Sequence, residues 1–253
     1  MKKKILSILL SVVLILMITV SSIPFASAAV KAPSIPKSVK YISDYIVREH
    51  CLEFKGSKGG ATGYHVQIIN ASGKVTSNQY YKSTNKKSDK TFFNTGDHYI
   101  VWCNNNFNKY IARGQFYKIR VRAFNVAKPS SYKTGKKPSG AKYSGYSATY
   151  GAESVKGAKA VKTSDKKGIK ISWSKTKGAN KYYLRIIDKD GKYIGKSYIL
   201  TGTSKVFTKV NGVSFKGAQK ISVNISPIKV VDGKNYNATA YGHNNGLINL
   251  NVK

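Results

Sequence analysis

The sequence predicts an all-β protein made of two tandem β-sandwich domains that follow a cleavable signal peptide. Three observations favour this fold class: a repeated unit within the 253 residues, period-two alternation of apolar and polar residues, and short turns rich in glycine. No amphipathic helical pattern stands out beyond the first residues. Hydrophobic residues make up 41% of the chain, which is enough to build cores and argues against general disorder.

The first residues, 1–28, have the three parts of an export signal. Lysines at positions 2–4 precede an apolar stretch over 5–20, and the small residues Ala26 and Ala28 follow in an Ala-x-Ala arrangement. We expect cleavage after Ala28, which leaves a secreted, extracellular chain that does not span a membrane. Such a chain is either free or associated with the cell wall through its charge. An uncleaved membrane anchor is the alternative interpretation.

An internal repeat divides the rest of the chain into two units. Residues 60–74 (GATGYHVQIINASGK) and 178–192 (GANKYYLRIIDKDGK) share their Gly-Ala start, a central Tyr, an Ile-Ile pair and a final Gly-Lys. Further matching pieces follow in the same order, among them Lys-Ile-x-Val in both halves. Similar pieces in the same order indicate duplication. The sequence therefore predicts one domain over 33–150 and a second over 152–253.

Alternation within each unit indicates antiparallel sheet with one face in water. Ile169, Ile171 and Trp173 alternate with polar residues, as do the apolar residues of 117–123 and 221–225. Dipeptides of the type Ser-Gly and Asp-Gly, at 72–73, 190–191 and 232–233, separate the strand-like runs and predict hairpin turns. About seven short strands in about 100 residues are typical of a β-sandwich.

Three segments resemble a known family, the fibronectin type III domain. Residues 168–173 (GIKISW) and 178–184 (GANKYYL) resemble its strands B and C, and 117–125 (YKIRVRAFN) resembles its strand F, where Tyr117 would be the corner tyrosine. The first unit departs from the pattern at Phe54, near the position of the usual Trp. A divergent immunoglobulin-like sandwich is the alternative. The resemblance implies an interaction module or spacer rather than an enzyme, and the fold does not fix the ligand.

The strongly basic composition indicates attraction to anionic polymers. The chain has 44 Lys+Arg against 10 Asp+Glu, a formal net charge of +34, and the excess is spread over both halves. We expect an extracellular partner such as teichoic acid, another anionic polysaccharide, extracellular DNA or lipid headgroups, and no cytoplasmic partner. The alternative is that lysines only keep edge strands soluble and unpaired.

The densest cluster of lysines lies between predicted strands F and G of the first domain, in 128–142 (KPSSYKTGKKPSGAK). Loops at the end of a sandwich are free to vary and often carry contacts, so this one is a candidate binding loop. A flexible insertion without a function is the alternative. The candidate binding residues are Lys128, Tyr132, Lys133, Lys136, Lys137 and Lys142.

The two cysteines, Cys51 and Cys103, predict a disulfide, because an exported pair usually oxidises. Two buried thiols are the alternative. A zinc site with His50 and His98 is disfavoured, since adjacent strand residues point to opposite faces. No nucleophile motif, carboxylate pair or nucleotide fingerprint stands out. We therefore expect no catalytic residue, no metal and no cofactor.

Aromatic residues supply the alternative function, that of a carbohydrate-binding accessory module or a structural spacer of an extracellular glycan-degrading system. Tyrosine is abundant, with 18 copies, and several predicted to be exposed could stack on sugar rings. The simpler explanation is that tyrosine is a favoured strand residue. The residues in question are Tyr80, Tyr81, Trp102, Tyr143, Tyr146 and Tyr150.

Overall fold

The computed structural model describes residues 29–44, 49–83, 92–94, 98–103, 111–187, 193–210, 212–218, 220–237 and 247–253. The predicted signal peptide, 1–28, lies outside these residues. Across the described ranges the regular structure is β-strand, apart from a 3-10 turn at Pro129–Ser131. None of the described segments forms an apolar helix of membrane-spanning length.

In the described part of the first half of the chain, nine strands form two facing sheets. One sheet has the order β1-β2-β6-β5, and the other has the order β4-β3-β7, with β8 and β9 both paired to β7. Neighbouring strands in both sheets are antiparallel. The strands are β1 Lys37–Asp44, β2 Glu49–Lys55, β3 Gly63–Ile69, β4 Val75–Lys82, β5 Phe92–Asn94, β6 His98–Cys103, β7 Phe116–Asn125, β8 Lys142–Tyr143 and β9 Ser147–Ala152.

The second half repeats this arrangement. A three-stranded sheet of order β10-β11-β14 faces a sheet of order β13-β12-β17, in which β17 also pairs β18 and β19. The predicted all-β, β-sandwich architecture is confirmed by the strand order of both halves. The strands are β10 Lys159–Lys162, β11 Ile169–Ser172, β12 Lys181–Ile187, β13 Tyr193–Leu200, β14 Ser204–Phe207, β15 Lys209–Val210, β16 Val213–Ser214, β17 Lys220–Val231, β18 Lys234–Asn237 and β19 Leu247–Asn251.

Each sandwich encloses its own core, because alternate residues of its strands point inwards. Ile119 and Val121 of β7 are fully buried, as are Ile169 and Ile171 of β11. The two cores repeat an aromatic pair in which the rings meet edge to face. Phe54 meets Tyr64 with ring centroids 4.9 Å apart in the first core, and the same geometry joins Trp173 to Tyr182 at 5.4 Å in the second. Phe54 therefore fills the role that Trp173 has in the other copy.

The hydroxyl groups of the repeated tyrosines also have matching roles. Tyr64 Oη accepts a hydrogen bond from the Ser57 backbone N–H at 3.1 Å, and Tyr182 Oη accepts one from Thr176 N–H at 2.8 Å. In both copies the bond ties the loop before the strand to the core. A buried backbone donor without such an acceptor would cost about 1–3 kcal/mol, so the repeated tyrosine explains a part of the duplicated sequence.

The predicted hairpin at Asp232-Gly233 is confirmed. Val231 pairs with Lys234 across a two-residue turn, and both turn residues have positive φ, 48° for Asp232 and 72° for Gly233. This turn conformation matches the right-handed twist of the flanking strands, and an Asp-Gly pair adopts it with little steric strain. In the first sandwich Gly73, with φ of 84°, closes the turn between β3 and β4, whereas the predicted turn at 190–191 lies outside the described residues.

Tyr117 is the corner tyrosine that the sequence predicts. Its hydroxyl accepts hydrogen bonds from the Ala112 backbone N–H and the Gln115 side-chain amide, both at 2.8 Å. We expect Tyr117→Phe to lower the free energy of unfolding by about 1–3 kcal/mol, because the Ala112 N–H loses its acceptor. Urea denaturation measures the change. Tyr236→Phe, at a partly exposed position, is the control, and an equal loss in both variants would contradict the role of the corner.

The two sandwiches meet end to end through backbone and apolar contacts. Phe116 N–H donates to the Lys177 carbonyl at 2.9 Å, and Lys177 N–H donates to the Gly114 carbonyl at 2.8 Å. Buried Phe116 and Ala152 pack against Ala179. β9 ends at Ala152 and β10 begins at Lys159, so the connection between the sandwiches is short.

The strand register bears on the predicted Cys51–Cys103 disulfide. Cys51 of β2 lies opposite Trp102 of β6, whereas Cys103 lies opposite His50. A cross-strand disulfide needs its two Cβ atoms about 3.5–4.5 Å apart, and neighbouring positions of a strand alternate between faces. The register therefore argues against the bridge, which stays a prediction.

Candidate functional site

The outer face of the β4-β3-β7-β9 sheet carries an unusual set of polar and aromatic residues. Because Tyr64, Val66 and Ile68 of β3 point into the core, His65 and Gln67 lie on the other face. His65 pairs across the sheet with Arg122 on one side and Tyr80 on the other. Gln67 is likewise flanked by Arg120 and Asn78. The register thus builds two cross-strand rows.

A continuous chain of hydrogen bonds joins the two rows. Arg120 Nε donates to Gln67 Oε1 at 2.7 Å, and Gln67 Nε2 donates to Asn78 Oδ1 at 2.6 Å. Asn78 Oδ1 also receives His65 Nε2–H at 3.0 Å, and His65 Nδ1 accepts from Arg122 Nε at 3.1 Å. This pattern requires a neutral imidazole with its proton on Nε2. The chain holds both guanidinium groups by their Nε atoms.

Aromatic rings lie over the two guanidinium groups. The Arg122 Cζ atom is 3.8 Å from the centroid of the Tyr143 ring and 4.6 Å from that of Tyr146. Arg120 Cζ lies 4.0 Å from the Tyr146 centroid, and the Tyr80 ring stacks on His65 at 4.2 Å. Such cation–π contacts fix the guanidinium planes. The arginine–tyrosine cluster consists of His65, Tyr80, Arg120, Arg122, Tyr143 and Tyr146.

The electrostatics of the cluster keep His65 neutral. The side chain is 1% exposed, and its burial lowers the pKa of His65 to about 4, with a smaller lowering from the charges of Arg122, Arg120 and Lys137. Burial also raises the pKa values of Tyr143 and Tyr146. At neutral pH the positive charge of the cluster therefore belongs to the arginines.

Acid is expected to destabilise the protein through His65. The unfolded chain binds a proton near pH 6.5 and the folded chain near pH 4, so this contribution is complete above pH 6.5 and is lost as the pH falls to 4. We expect a loss on the order of 2 kcal/mol over that window. Urea midpoints measured from pH 7 to pH 4 give the slope. His65→Gln cannot titrate, and a slope equal to that of the unmodified protein would contradict the assignment.

The lysine loop, residues 128–142, is docked along the edge of β4. Gly135 N–H donates to the Tyr80 carbonyl at 2.8 Å, and Lys82 N–H donates to Thr134 Oγ1 at 3.1 Å. Lys82 Nζ also reaches the Ser130 carbonyl at 3.2 Å. These bonds occupy backbone groups of an edge strand that would otherwise face solvent. The loop is therefore held beside the arginine–tyrosine cluster.

The buried side chain of Tyr132 anchors the loop to the sheet. It is 8% exposed, its ring meets Phe124 edge to face at 5.0 Å, and its hydroxyl donates to the Lys136 carbonyl at 2.9 Å. Burial raises the pKa of Tyr132 to about 12. Among the predicted binding residues it is thus placed to shape the loop. The other five, which are all exposed, are Lys128, Lys133, Lys136, Lys137 and Lys142.

The tyrosines singled out in the sequence do not stay together as a group. Tyr80, Tyr143 and Tyr146 converge in the cluster, but Tyr81 is 6% exposed and belongs to the core. Tyr150 lies at the junction of the sandwiches, where its ring meets Tyr236 at 5.0 Å. The side chain of Trp102 lies outside the described residues.

Sequence reasoning missed three members of the cluster: His65, Arg120 and Arg122. The signal that could have found them is their position, since each alternates with buried residues of β3 or β7. Alternation alone marks such residues as solvated, and only the pairing of β3 with β7 brings them together.

Among the residues of the second sandwich that the structure describes, no equivalent cluster is found. On the corresponding face β12 carries Tyr183 and Arg185, and Arg185 Nε donates to Ser197 Oγ at 2.7 Å. The facing positions of β17 are Asn224 and Ser226, which are both buried and uncharged. The duplication therefore conserves the cores and differs on this face.

The described residues contain no group of three or more His, Cys, Asp or Glu side chains that could hold a metal ion. The one ion pair found among them joins Arg113 Nε to Glu153 Oε1 at 3.2 Å, away from the cluster. Within the described ranges the cluster thus holds two cationic groups without a carboxylate partner.

Comparison with known proteins shows similarity to fibronectin type III structures. No protein-family model and no curated protein matches the chain. An Fn3-like protein from Clostridium thermocellum is 20% identical, with 39% of this chain and 91% of that chain covered and a TM-score of 0.28. A two-domain fibronectin type III segment of chicken tenascin is 13% identical, with 85% and 96% covered and a TM-score of 0.27. These TM-scores are below 0.5, so the description of the fold rests on the strand order of this chain and not on the comparison.

Proposed function

We propose that this protein is a secreted, non-enzymatic binding protein that associates with anionic polymers of a cell envelope or matrix. The observation that carries the proposal is the docking of the lysine loop beside the arginine–tyrosine cluster, which collects seven cationic side chains on one side of the first sandwich. Teichoic acid, anionic polysaccharide and extracellular DNA share the chemistry that this surface would recognise.

Physical chemistry supports the proposal in two ways. A formal net charge of +34 attracts polyanions from a distance, and each contact releases counterions from the polymer. The loop is held by hydrogen bonds to Tyr80 and Lys82 of β4, so less conformational entropy is lost when a polymer binds. An ordered cationic loop is a better binding surface than a flexible one of equal charge.

A carbohydrate-binding accessory module, or a spacer of an extracellular glycan-degrading system, is the second candidate function. The convergence of Tyr80, Tyr143 and Tyr146 around His65 favours it, because tyrosine rings can stack on sugars. The two candidates differ in their dependence on salt. Binding to neutral glycans that survives high salt would favour the second.

Retention on an immobilised anionic polymer tests the first candidate. The protein is applied to columns of teichoic acid or heparin and to a neutral polysaccharide column, and it is eluted with a salt gradient. We expect retention on the anionic columns only. Failure to bind the anionic columns at low salt, or retention that the salt gradient does not weaken, would overturn the proposal, because binding through several lysines is strong at low salt and falls steeply as salt rises.

A further inference from the structure

We infer that Arg120 and Arg122 form a defined site for one oxyanion, a carboxylate or phosphate group carried by a sugar-containing polymer. The inference rests on the proposed function and deepens it. General attraction by lysines needs no particular geometry and saturates only when the surface is covered. A paired guanidinium site binds one group in one orientation.

The first argument is the use of the guanidinium atoms. Each arginine donates its Nε–H to a neutral acceptor. Arg120 donates to the Gln67 amide oxygen, and Arg122 donates to the His65 Nδ1 atom. No ion pair joins either guanidinium to a carboxylate of the described residues. The terminal Nη atoms are the donors that bind oxyanions in bidentate fashion. The hydrogen bonds within the protein therefore use the Nε atom of each arginine, and its terminal Nη atoms remain to bind a ligand.

The second argument is preorganisation. The chain of hydrogen bonds through Gln67, Asn78 and His65 connects the two arginines, so that neither can turn without breaking a bond. The rings of Tyr143 and Tyr146 hold the guanidinium planes. A site whose side chains are already ordered loses less entropy on binding. The Cζ atoms of Arg120 and Arg122 lie 4.0 and 4.6 Å from the same Tyr146 ring centroid, so the two like charges are near each other, and an anion bound by both would relieve their repulsion.

The third argument concerns the chemistry around the oxyanion. Tyr80, Tyr143 and Tyr146 are partly exposed and border the arginines, so they offer ring edges to the rest of a ligand, while the Tyr143 hydroxyl is buried and the Tyr146 hydroxyl contacts His65. Sugars combine apolar C–H faces with hydroxyl groups and suit such a border. A sugar that also carries an acidic group matches both parts of the cluster.

The second sandwich provides an internal control. Arg185 on the corresponding face is bonded to Ser197, and β17 contributes Asn224 and Ser226 rather than arginines. A single guanidinium cannot form the paired site. The inference therefore predicts one site in the chain, in the first sandwich only.

Titration with small ligands tests the inference. Glucuronic acid, glycerol phosphate, inorganic phosphate and glucose are added to the protein, with heat and the Nε–H resonances of Arg120 and Arg122 as readouts. We expect saturable binding of an acidic ligand at one site per chain. Preference for glucuronic acid identifies a carboxylate source, and preference for glycerol phosphate identifies a phosphate source. Equal binding of glucose, or no saturable binding of any acidic ligand, would overturn the inference.

Arg122→Lys is the decisive variant, and Arg185→Lys is its matched control. Lysine keeps the charge but lacks the planar fork, so we expect affinity for the acidic ligand to fall about tenfold or more in Arg122→Lys only. Equal affinity in both variants would overturn the inference. Thermal denaturation checks that both variants fold. Retention of the unmodified protein on anionic polymers is measured separately, so that the proposed function can stand even if the defined site fails.

Discussion

Between 50 and 200 mM salt, the affinity of this protein for an anionic polymer is expected to fall by about a thousandfold or more. Each lysine or arginine that neutralises a polymer charge releases counterions, and proteins with 6–10 such contacts lose about 10³–10⁵ in affinity over this range. The seven cationic side chains of the lysine loop and the arginine–tyrosine cluster fall in that class. Fluorescence titration with a labelled teichoic acid at several salt concentrations measures the slope.

A charge-matched pair of variants separates this surface from the general charge of the chain. One variant replaces the five lysines of the loop with glutamine, and the other replaces five exposed lysines of the second sandwich. We expect a much shallower salt dependence in the first variant only. Equal slopes would show that the net charge, rather than the docked loop, governs binding. The control positions are Lys156, Lys159, Lys166, Lys167 and Lys170.

Trp173→Ala is expected to cost about 3–5 kcal/mol of stability, which is a large part of the total for a small domain. Trp173 is 5% exposed in the core of the second sandwich, and its ring meets Tyr182 edge to face. Truncation removes this contact and leaves a cavity that the sheets can fill only in part. Urea denaturation followed by near-ultraviolet circular dichroism measures the loss.

Two further variants place that result in context. Phe54→Ala removes the corresponding ring of the first core, which is fully buried, and should cost a similar amount. Ile199→Ala truncates a side chain that is 57% exposed and should change the unfolding free energy by less than about 0.5 kcal/mol. A small effect of Trp173→Ala, comparable to that of Ile199→Ala, would contradict the description of the second core.

The duplication shows which structural correspondences a sequence match between the two repeats predicts correctly and which it does not. The match between 60–74 and 178–192 correctly relates Tyr64 to Tyr182, and both hydroxyl groups accept a backbone hydrogen bond. The match between Lys118 and Lys220 is less reliable. Tyr64 pairs with Ala123, whereas Tyr182 pairs with Pro227, so the last long strand is shifted by two residues relative to the sequence match. A shift of two preserves the buried face, and alternation cannot detect it.

The lysine loop shows the same difference between features that neighbouring residues reveal and features that depend on residues distant in the chain. Its lysines were evident from the sequence, because charge density is a property of neighbouring residues. Its docking was not, because the partners Tyr80 and Lys82 lie about fifty residues earlier. Tyr132 stood among the binding candidates on the basis of its neighbours, but its contact with Phe124 makes it an anchor.

The sequence by itself predicted the sandwich architecture, the repeated cores and the basic character, since each follows from residue type and short-range periodicity, and the resemblance to the fibronectin type III domain implied the corner at Tyr117. The tertiary structure alone decided that His65, Arg122 and Tyr80 form one row, because cross-strand register joins residues that are distant in the chain. It also places Cys51 opposite Trp102 and Cys103 opposite His50, and this register argues against a Cys51–Cys103 bridge, which stays a prediction. Register depends on the fit of whole strands, and no single segment encodes it.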